Sequence, residues 1–231
     1  MSAMTTDLID LLTLAIASAI GPGQILFDTL LLRSPNSGTL RAAAFGAGMT
    51  AVRFLQGLVF GFIILGASGA PAAEGHAGAI ASTLMLVLGI LLLITGYRQW
   101  SEVPDPDAPP PSWLSMIDSM GPGKTFGIGA ILVATSPNLW AFTLNAIALI
   151  GSEQIGRAES VVAFLLFMLV AEALVLAPIL LRVLLPRQTE AVLAAMTTWL
   201  TDHQRVLMIG VSMVFGAYFL GKGALDLLAL S

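Results

Sequence analysis

The chain has 231 residues, 57% of them apolar and only 10% charged, with a mean hydropathy of +0.90. A soluble domain carries about a quarter charged residues, so this composition cannot supply a water-facing surface, whereas a bilayer removes that demand. A net charge of −4 without a basic tract argues against a nucleic-acid partner, and the absence of cysteine rules out disulfides, thiolate metal sites and thiol redox relays.

Six apolar runs reach the roughly 20 residues that a helix needs to cross a hydrocarbon core of about 30 Å. They fall near 8–32, 39–66, 77–98, 125–151, 158–182 and 205–228. The N-terminal Met1–Asp10 segment lacks the Lys or Arg that opens a cleaved signal peptide and carries Asp7 and Asp10, so the first run reads as a retained helix. Its middle is interrupted by Gly21-Pro22-Gly23-Gln24. The second run is long enough to tilt or to lie partly at the interface, and its Gly57-xxx-Gly61 motif permits close helix packing, within the chain or in a homodimer.

The third run carries Gly89 and Gly96. The stretch EVPDPDAPPP, Glu102–Pro111, combines helix-breaking prolines with solvated acids and reads as an exposed linker. Gly121-Pro122-Gly123-Lys124-Thr125 ends in a GKT string, but Asp118 stands where a phosphate loop needs its first glycine, so the segment is read as the entrance to the fourth run. Ser136-Pro137-Asn138 interrupts that run near its middle. Ala191–Leu200 is too short to span and suits an interfacial or cytoplasmic helix, and the sixth run carries Gly216 and Gly223 at the spacing of Gly89 and Gly96.

These elements predict an all-α integral membrane protein of six spans in two three-helix halves, 1–98 and 125–231, joined by a linker over 99–124. With three spans each, the halves must run in opposite directions, the plan of inverted-repeat transporters whose substrate site lies at interrupted helices near the midplane. Arg33, Arg41, Arg98, Lys124, Arg182, Arg187 and Arg205 all fall on one side, against Arg157 and Lys222 on the other. The positive-inside rule then places the linker in the cytoplasm and both termini outside a bacterial inner membrane.

A proline inside a span frees a carbonyl that hydrocarbon tolerates only under cover of protein or water. Such a break produces a kink or opens a polar centre, and two matched breaks, each beside an amide residue, favour the centre. Gly21, Pro22, Gly23, Gln24, Ser136, Pro137 and Asn138 are therefore the candidate substrate-binding residues. Asp28, Arg53 and Glu172 are ionisable residues deep in spans, where a charge must face the bundle interior and find a partner. An Arg53–Glu172 pair is the expected arrangement and Asp28–Arg53 the alternative; either is a coupling network or a structural pair that fixes helix register. Asp7, Asp10, Glu153, Glu159 and Asp226 read as solvated helix ends and Lys222 as a snorkelling residue. Trp140, close to the Pro137 break, lines a cavity or packs. His76 and His203 fall in expected loops, so neither a metal site nor a Ser-His-Asp set is indicated, no cofactor is implied and an enzyme is not expected.

The Gly-Pro break in span one and the Pro-Asn break in span four, in a chain of two three-span groups, resemble the lysine exporter superfamily. Leu30-Leu-Leu-Arg-Ser-Pro-Asn36, followed by Arg41 and the Gly46/Gly48 helix, resembles its peptidoglycolipid- or sulfolipid-addressing (GAP, or Sap-like) family. Ser136-Pro137-Asn138-Leu139 resembles that family's Asn-Pro-Lys-Asn-Leu break, with Ser136 for the asparagine and Asn138 for the lysine, so a role tied to a lysine charge is in doubt. The resemblance implies a secondary exporter, driven by the proton gradient, for a glycolipid-like or amino-acid-like solute. A membrane scaffold assisting a lipid-export system is the alternative, and membrane lipid and a small-molecule or lipid substrate are the expected partners.

Overall fold

The computed structural model describes residues 2–34, 37–67, 74–102, 117, 120–153 and 155–229. Most of the linker stretch Glu102–Pro111, with Trp113, Pro35 and Asn36, lies outside them. Among the described residues there are nine helices and no strand: α1 Ser2–Ala19, α2 Pro22–Arg33, α3 Gly38–Ala67, α4 Glu74–Ser101, α5 Pro122–Thr135, α6 Pro137–Ser152, α7 Arg157–Ala171, α8 Ala173–Leu184 and α9 Pro186–Ala229. Three of them, α3, α4 and α9, are continuous helices long and apolar enough to cross a membrane. The other six form bent pairs, α1/α2 at 54°, α5/α6 at 72° and α7/α8 at 69°, and six spans result when each pair counts as one. The chain is an all-α multi-pass membrane protein.

Two of the bends fall where proline removes an N–H. Pro22 and Pro137 each take the first helical position after a break, where no intrahelical donor is needed. The third was not foreseen: span five turns at Glu172, at the junction of α7 and α8, although its proline, Pro178, lies six residues further on inside α8. Another difference concerns the C-terminal third. Ala191–Leu200 is not a separate interfacial helix but part of α9, which runs without interruption for 44 residues. No proline or glycine separates Arg187 from Ile209, so nothing in the sequence ends the helix between the polar and apolar stretches. His203 accordingly sits in a helix, its ring stacked on Trp199 at 5.1 Å, and His76 also falls within a helix, α4.

Helices α4 and α9 pack antiparallel along their glycines. A Cβ on Gly89 would run into the backbone of Leu220, and one on Gly216 would meet Leu93 Cγ at 2.9 Å. One on Gly96 would meet Ser212 Cβ at 3.1 Å, and one on Gly223 the backbone of Leu86 at 2.6 Å. The contacts are reciprocal: Gly89 and Gly216 each face the residue four beyond the other glycine. The remaining packing pairs off in the same way. Helix α3 lies on α5 as α7 lies on α1, α4 on α6 as α9 on α2, and α3 on α6 as α8 on α2. The α3–α5 contact is close because Gly48 faces the carbonyl of Phe126 and Gly129 faces the carbonyl of Phe45.

Two large apolar clusters form most of the interior, beside a small third one of Ile25, Leu26 and Leu200. One large cluster gathers Leu14, Met85, Leu88, Ala146, Phe167 and Phe219; the other gathers Leu31, Phe45, Met49, Val133, Val175 and Leu193. At the end of α4, Arg205 of α9 donates to the carbonyls of Gln99, Trp100 and Glu102. It places a cation on the negative end of the helix dipole and supplies donors that the last turn lacks.

The glycine seam generates a test. Gly89→Ala has to displace backbone and is expected to lower the thermal unfolding midpoint in detergent, as overpacking of about 1–3 kcal/mol does. Gly221→Ala, where nothing lies within 4 Å of the added carbon, is expected to leave it unchanged or raise it through helix propensity. A tolerated Gly89→Ala would remove the seam as a packing constraint.

Candidate functional site

Arg53 is wholly buried on α3. Its Nε lies 3.4 Å from Glu172 Oε1, an ion-pair contact rather than an aligned hydrogen bond. Nη2 donates to Ser18 Oγ at 2.9 Å and Nη1 reaches Thr143 Oγ1 at 3.5 Å. The second oxygen of Glu172 accepts from Thr50 Oγ1, one turn before Arg53 on the same face of α3. Thr50 is also placed to donate to the carbonyl of Gly46 at 2.9 Å; with a single hydroxyl proton it serves one acceptor at a time.

The constellation draws on every broken span. Ser18 is on α1, four residues before Pro22, so its own carbonyl is the one that Pro22 cannot serve. Thr143 is on α6, beyond the Pro137 break, and Glu172 is itself the third break. Its carbonyl accepts from Val175 and Leu176 at 3.0 and 2.9 Å, which starts α8. Glu172 also sits where its span passes from one apolar cluster to the other, between Ala171 and Val175, while Thr143 lies beside the first cluster, between Phe142 and Ala146. The polar centre lies on the seam of the two cores.

The other candidates are placed differently. Asp28, on α2, is wholly buried, and neither carboxylate oxygen has a hydrogen-bond partner among the described residues; the alternative Asp28–Arg53 ion pair is not formed. Pro22 and Gln24 are buried, and the Gln24 side chain folds over Gly21, at the start of α2, within 2.8 Å of where a Cβ would sit. Gly23 faces Gln204 of α9. Pro137 is exposed, Ser136 caps α6 through its backbone, and Asn138 Nδ2 reaches Thr95 Oγ1 of α4 at 3.3 Å. The breaks thus differ in burial, and neither groove on the bundle surface described below is lined by them. Trp140 packs: its Nε1 donates to Ala134 O at 2.8 Å, satisfying a carbonyl at the end of α5, and its ring meets Phe60 edge-on at 5.6 Å.

A family model described as "Sap, sulfolipid-1-addressing protein" matches residues 11–225. The chain belongs to that family. No curated protein and no solved structure matches it. No group of three or more potential metal ligands occurs among the described residues of this Sap-family protein.

Several polar residues of the centre were not singled out in the sequence. Thr50, Gln56, Ser18 and Thr143 carry no charge and look ordinary in a membrane helix, yet Thr50, Arg53 and Gln56 recur every three residues on one face of α3. Gln56 is buried with both amide atoms unpartnered, as is Asn145 Oδ1. A second network overturns the reading of Asp10 as a solvated helix end. Asp10 is 3% exposed, lies 3.0 Å from Lys222 Nζ and accepts from Tyr218 Oη at 2.9 Å. Lys222 also reaches Asp226 at 3.4 Å, so the middle of α1 is tied to the last turns of α9.

Removing one partner of a buried pair strands the other charge, at about 3–5 kcal/mol. Arg53→Met is therefore expected to lower stability in a detergent unfolding titration by that order, and Arg53→Met combined with Glu172→Met to recover most of it. Arg182→Met, which breaks a pair whose Glu190 side chain is 76% exposed, is expected to cost about 1 kcal/mol or less. Equal losses in the single and double variants would dissolve the pairing.

Proposed function

We propose that this Sap-family protein is a secondary exporter that moves an amphiphilic solute across the inner membrane with proton coupling, through the centre formed by Arg53, Glu172, Thr50, Ser18 and Thr143. The observation that carries the reading is that one wholly buried guanidinium collects partners from all three broken spans. A bend can change its angle with little loss of backbone hydrogen bonding where the ladder is already interrupted: Pro22 and Pro137 supply no N–H, and the carbonyl of Ala134 is held by the Trp140 side chain. A network anchored at three bends senses each of them, which is the mechanical requirement of alternating access.

The charges have defined parts in this reading. An anionic headgroup that reaches the centre competes with Glu172 for Arg53. Among the described residues Asp28 has neither a paired cation nor a hydrogen-bond donor, and an unpaired carboxylate is costly in hydrocarbon; it is the group suited to carry the proton. Pro22 and Pro137 act as the hinges, with Gln24 and Asn138 at their mouths. The reciprocal packing of α4 with α9, and of each half's first helices on the other's second span, supports an inverted repeat and a place in the lysine exporter superfamily. The clustering of Arg41, Arg98 and Arg205 around the linker end supports a cytoplasmic linker with both termini outside. The centre contains no activated nucleophile, and the chemistry assigned to it is binding and proton carriage rather than bond making. The family's name speaks of sulfolipid addressing, and an anionic lipid is the solute class taken up here.

The competing reading, a non-transporting scaffold of a lipid-export system, draws on the closed state of the centre, with Arg53 unexposed and Glu172 only 2% exposed. Proteoliposomes holding a pH-sensitive dye separate the two. A panel of amino acids and anionic amphiphiles is expected to include a solute that moves protons in the wild type, with the movement lost in Asp28→Asn and Glu172→Gln variants that remain folded. Proton movement in neither wild type nor variants, for any solute, would favour the scaffold.

A further inference from the structure

A groove of about 350 Å³ opens sideways from the bundle between α3, α6 and α7. Its size is that of a small-ligand pocket. Phe54, Gly57 and Gly61 form one wall, Ile147 and Ile150 the floor, and Phe164 faces them from α7. Gly57 and Gly61 lie in the spanning stretch Gly38–Gly61, so this part of the groove meets hydrocarbon rather than water. The two glycines do not bring a second helix backbone into contact. The ring of Phe164 fills the place of a Cβ on Gly57, and among the described residues nothing lies within 4 Å of where one would stand on Gly61. The motif makes space instead of a packing seam.

The groove has one polar end. Arg157, at the first position of α7, is its only charged lining residue; it is exposed and has no ion pair or hydrogen bond among the described residues. Nearby groups are committed elsewhere. Ser160 Oγ donates to Gly156 O at 3.0 Å, and the Glu159 carboxylate folds over Gly156 at the start of α7. The lining thus offers an apolar trough ending in a free guanidinium, complementary to a chain that ends in an anion. Guanidinium pairs with phosphate or sulfate in bidentate fashion, and a cation at the membrane–water boundary attracts anionic lipid by about 1 kcal/mol.

We propose that this groove is a lateral binding site for one acyl chain of an anionic membrane lipid, with Arg157 holding the headgroup. The site is separate from the Arg53 centre and does not depend on transport. Phe54 also lines a second groove, of about 530 Å³, that reaches Thr50 from the other end of α3, so this side chain stands between the lipid site and the polar centre.

The test uses the full chain in phosphatidylcholine vesicles containing a trace of phosphatidylglycerol with a photoreactive acyl chain, or phosphatidylcholine bearing the same chain. The phosphatidylglycerol probe is expected to label peptides within 54–61 and 147–165 several-fold more than the phosphatidylcholine probe. Arg157→Gln is expected to abolish the difference and Arg157→Lys to keep much of it. Gly61→Phe, which grows into open space, is expected to remove groove labelling by both probes. Equal labelling by the two headgroups in the wild type, or labelling that survives Gly61→Phe, would overturn the proposal. So would efficient disulfide dimerisation of Gly61→Cys in this otherwise cysteine-free chain, since a second copy would then fill the groove. If the exporter reading fails its proton assay, these outcomes are unaffected.

Discussion

A guanidinium that no water reaches has to be surrounded by acceptors, and in this chain that demand organises the middle of the membrane domain. Arg53 cannot be deprotonated to escape its burial, so the fold brings it a carboxylate, two hydroxyls and the helix ends that carry them. No single straight helix could deliver this. Ser18 and Glu172 sit at or beside points where the chain turns, and Thr143 is on the half-helix that follows another turn. The pair and the bends are one feature: the bends position the acceptors, and the network gives the exposed backbone of the bends a polar setting.

Backbone accounting explains why three broken spans are tolerated in so apolar a chain. Each break releases carbonyls on one side and N–H groups on the other, which hydrocarbon penalises by several kcal/mol apiece. The chain answers locally. Ser136 N returns to Leu132 O at 3.2 Å, Gly21 N to Ala19 O at 2.9 Å, and Trp140 reaches back across its break to Ala134 O. The aromatic beside the Pro137 break is therefore part of the hinge: it holds a freed carbonyl while the two half-helices keep an angle of 72°.

How much of this could be read from residues alone depended on whether a residue's role is intrinsic or contextual. Proline lacks an N–H everywhere, so the breaks at Pro22 and Pro137 were legible, as were the span positions, because a run of apolar residues in hydrocarbon has few alternatives. Arg53 and Glu172 were legible as a pair because a lone charge is intolerable at that depth. The bend at Glu172 was not, since Pro178 stands six residues away and most of the intervening residues are good helix formers. Thr50, Thr143 and Ser18 were hidden for another reason. A hydroxyl in a helix can satisfy itself on a preceding carbonyl, as Thr143 does with Leu139 at 3.0 Å, so its presence announces no partner. Asp10 was misplaced because a charge near a helix end is normally solvated, and only the approach of α1 to the end of α9 brings it to Lys222 across the whole chain. The long α9 was divided in error where polarity changed, although helix propensity did not.

The packing frame and the charges obey different rules. Glycine contacts between α4 and α9 are reciprocal, and the helix neighbours of one half match those of the other. The charged groups are not duplicated. Arg53 and Glu172 occupy comparable depths in the second spans of the two halves, with opposite signs, and they touch. In a frame related by a two-fold axis, equivalent positions meet only near that axis. Two identical ionisable residues there would repel, whereas one cation and one anion attract. If the halves form the inverted repeat proposed above, such a scaffold keeps its symmetric seams, which only require small residues, but must lose its symmetry at the axis for a charge to be buried there. The same logic separates the two hinges: one is buried and lined by Gln24, the other is exposed at Pro137 and tied through Asn138 to α4. In the exporter reading proposed above, equivalent packing with inequivalent breaks would give the bundle two distinct ways to bend around one fixed charge pair, and that inequivalence would give the centre a direction.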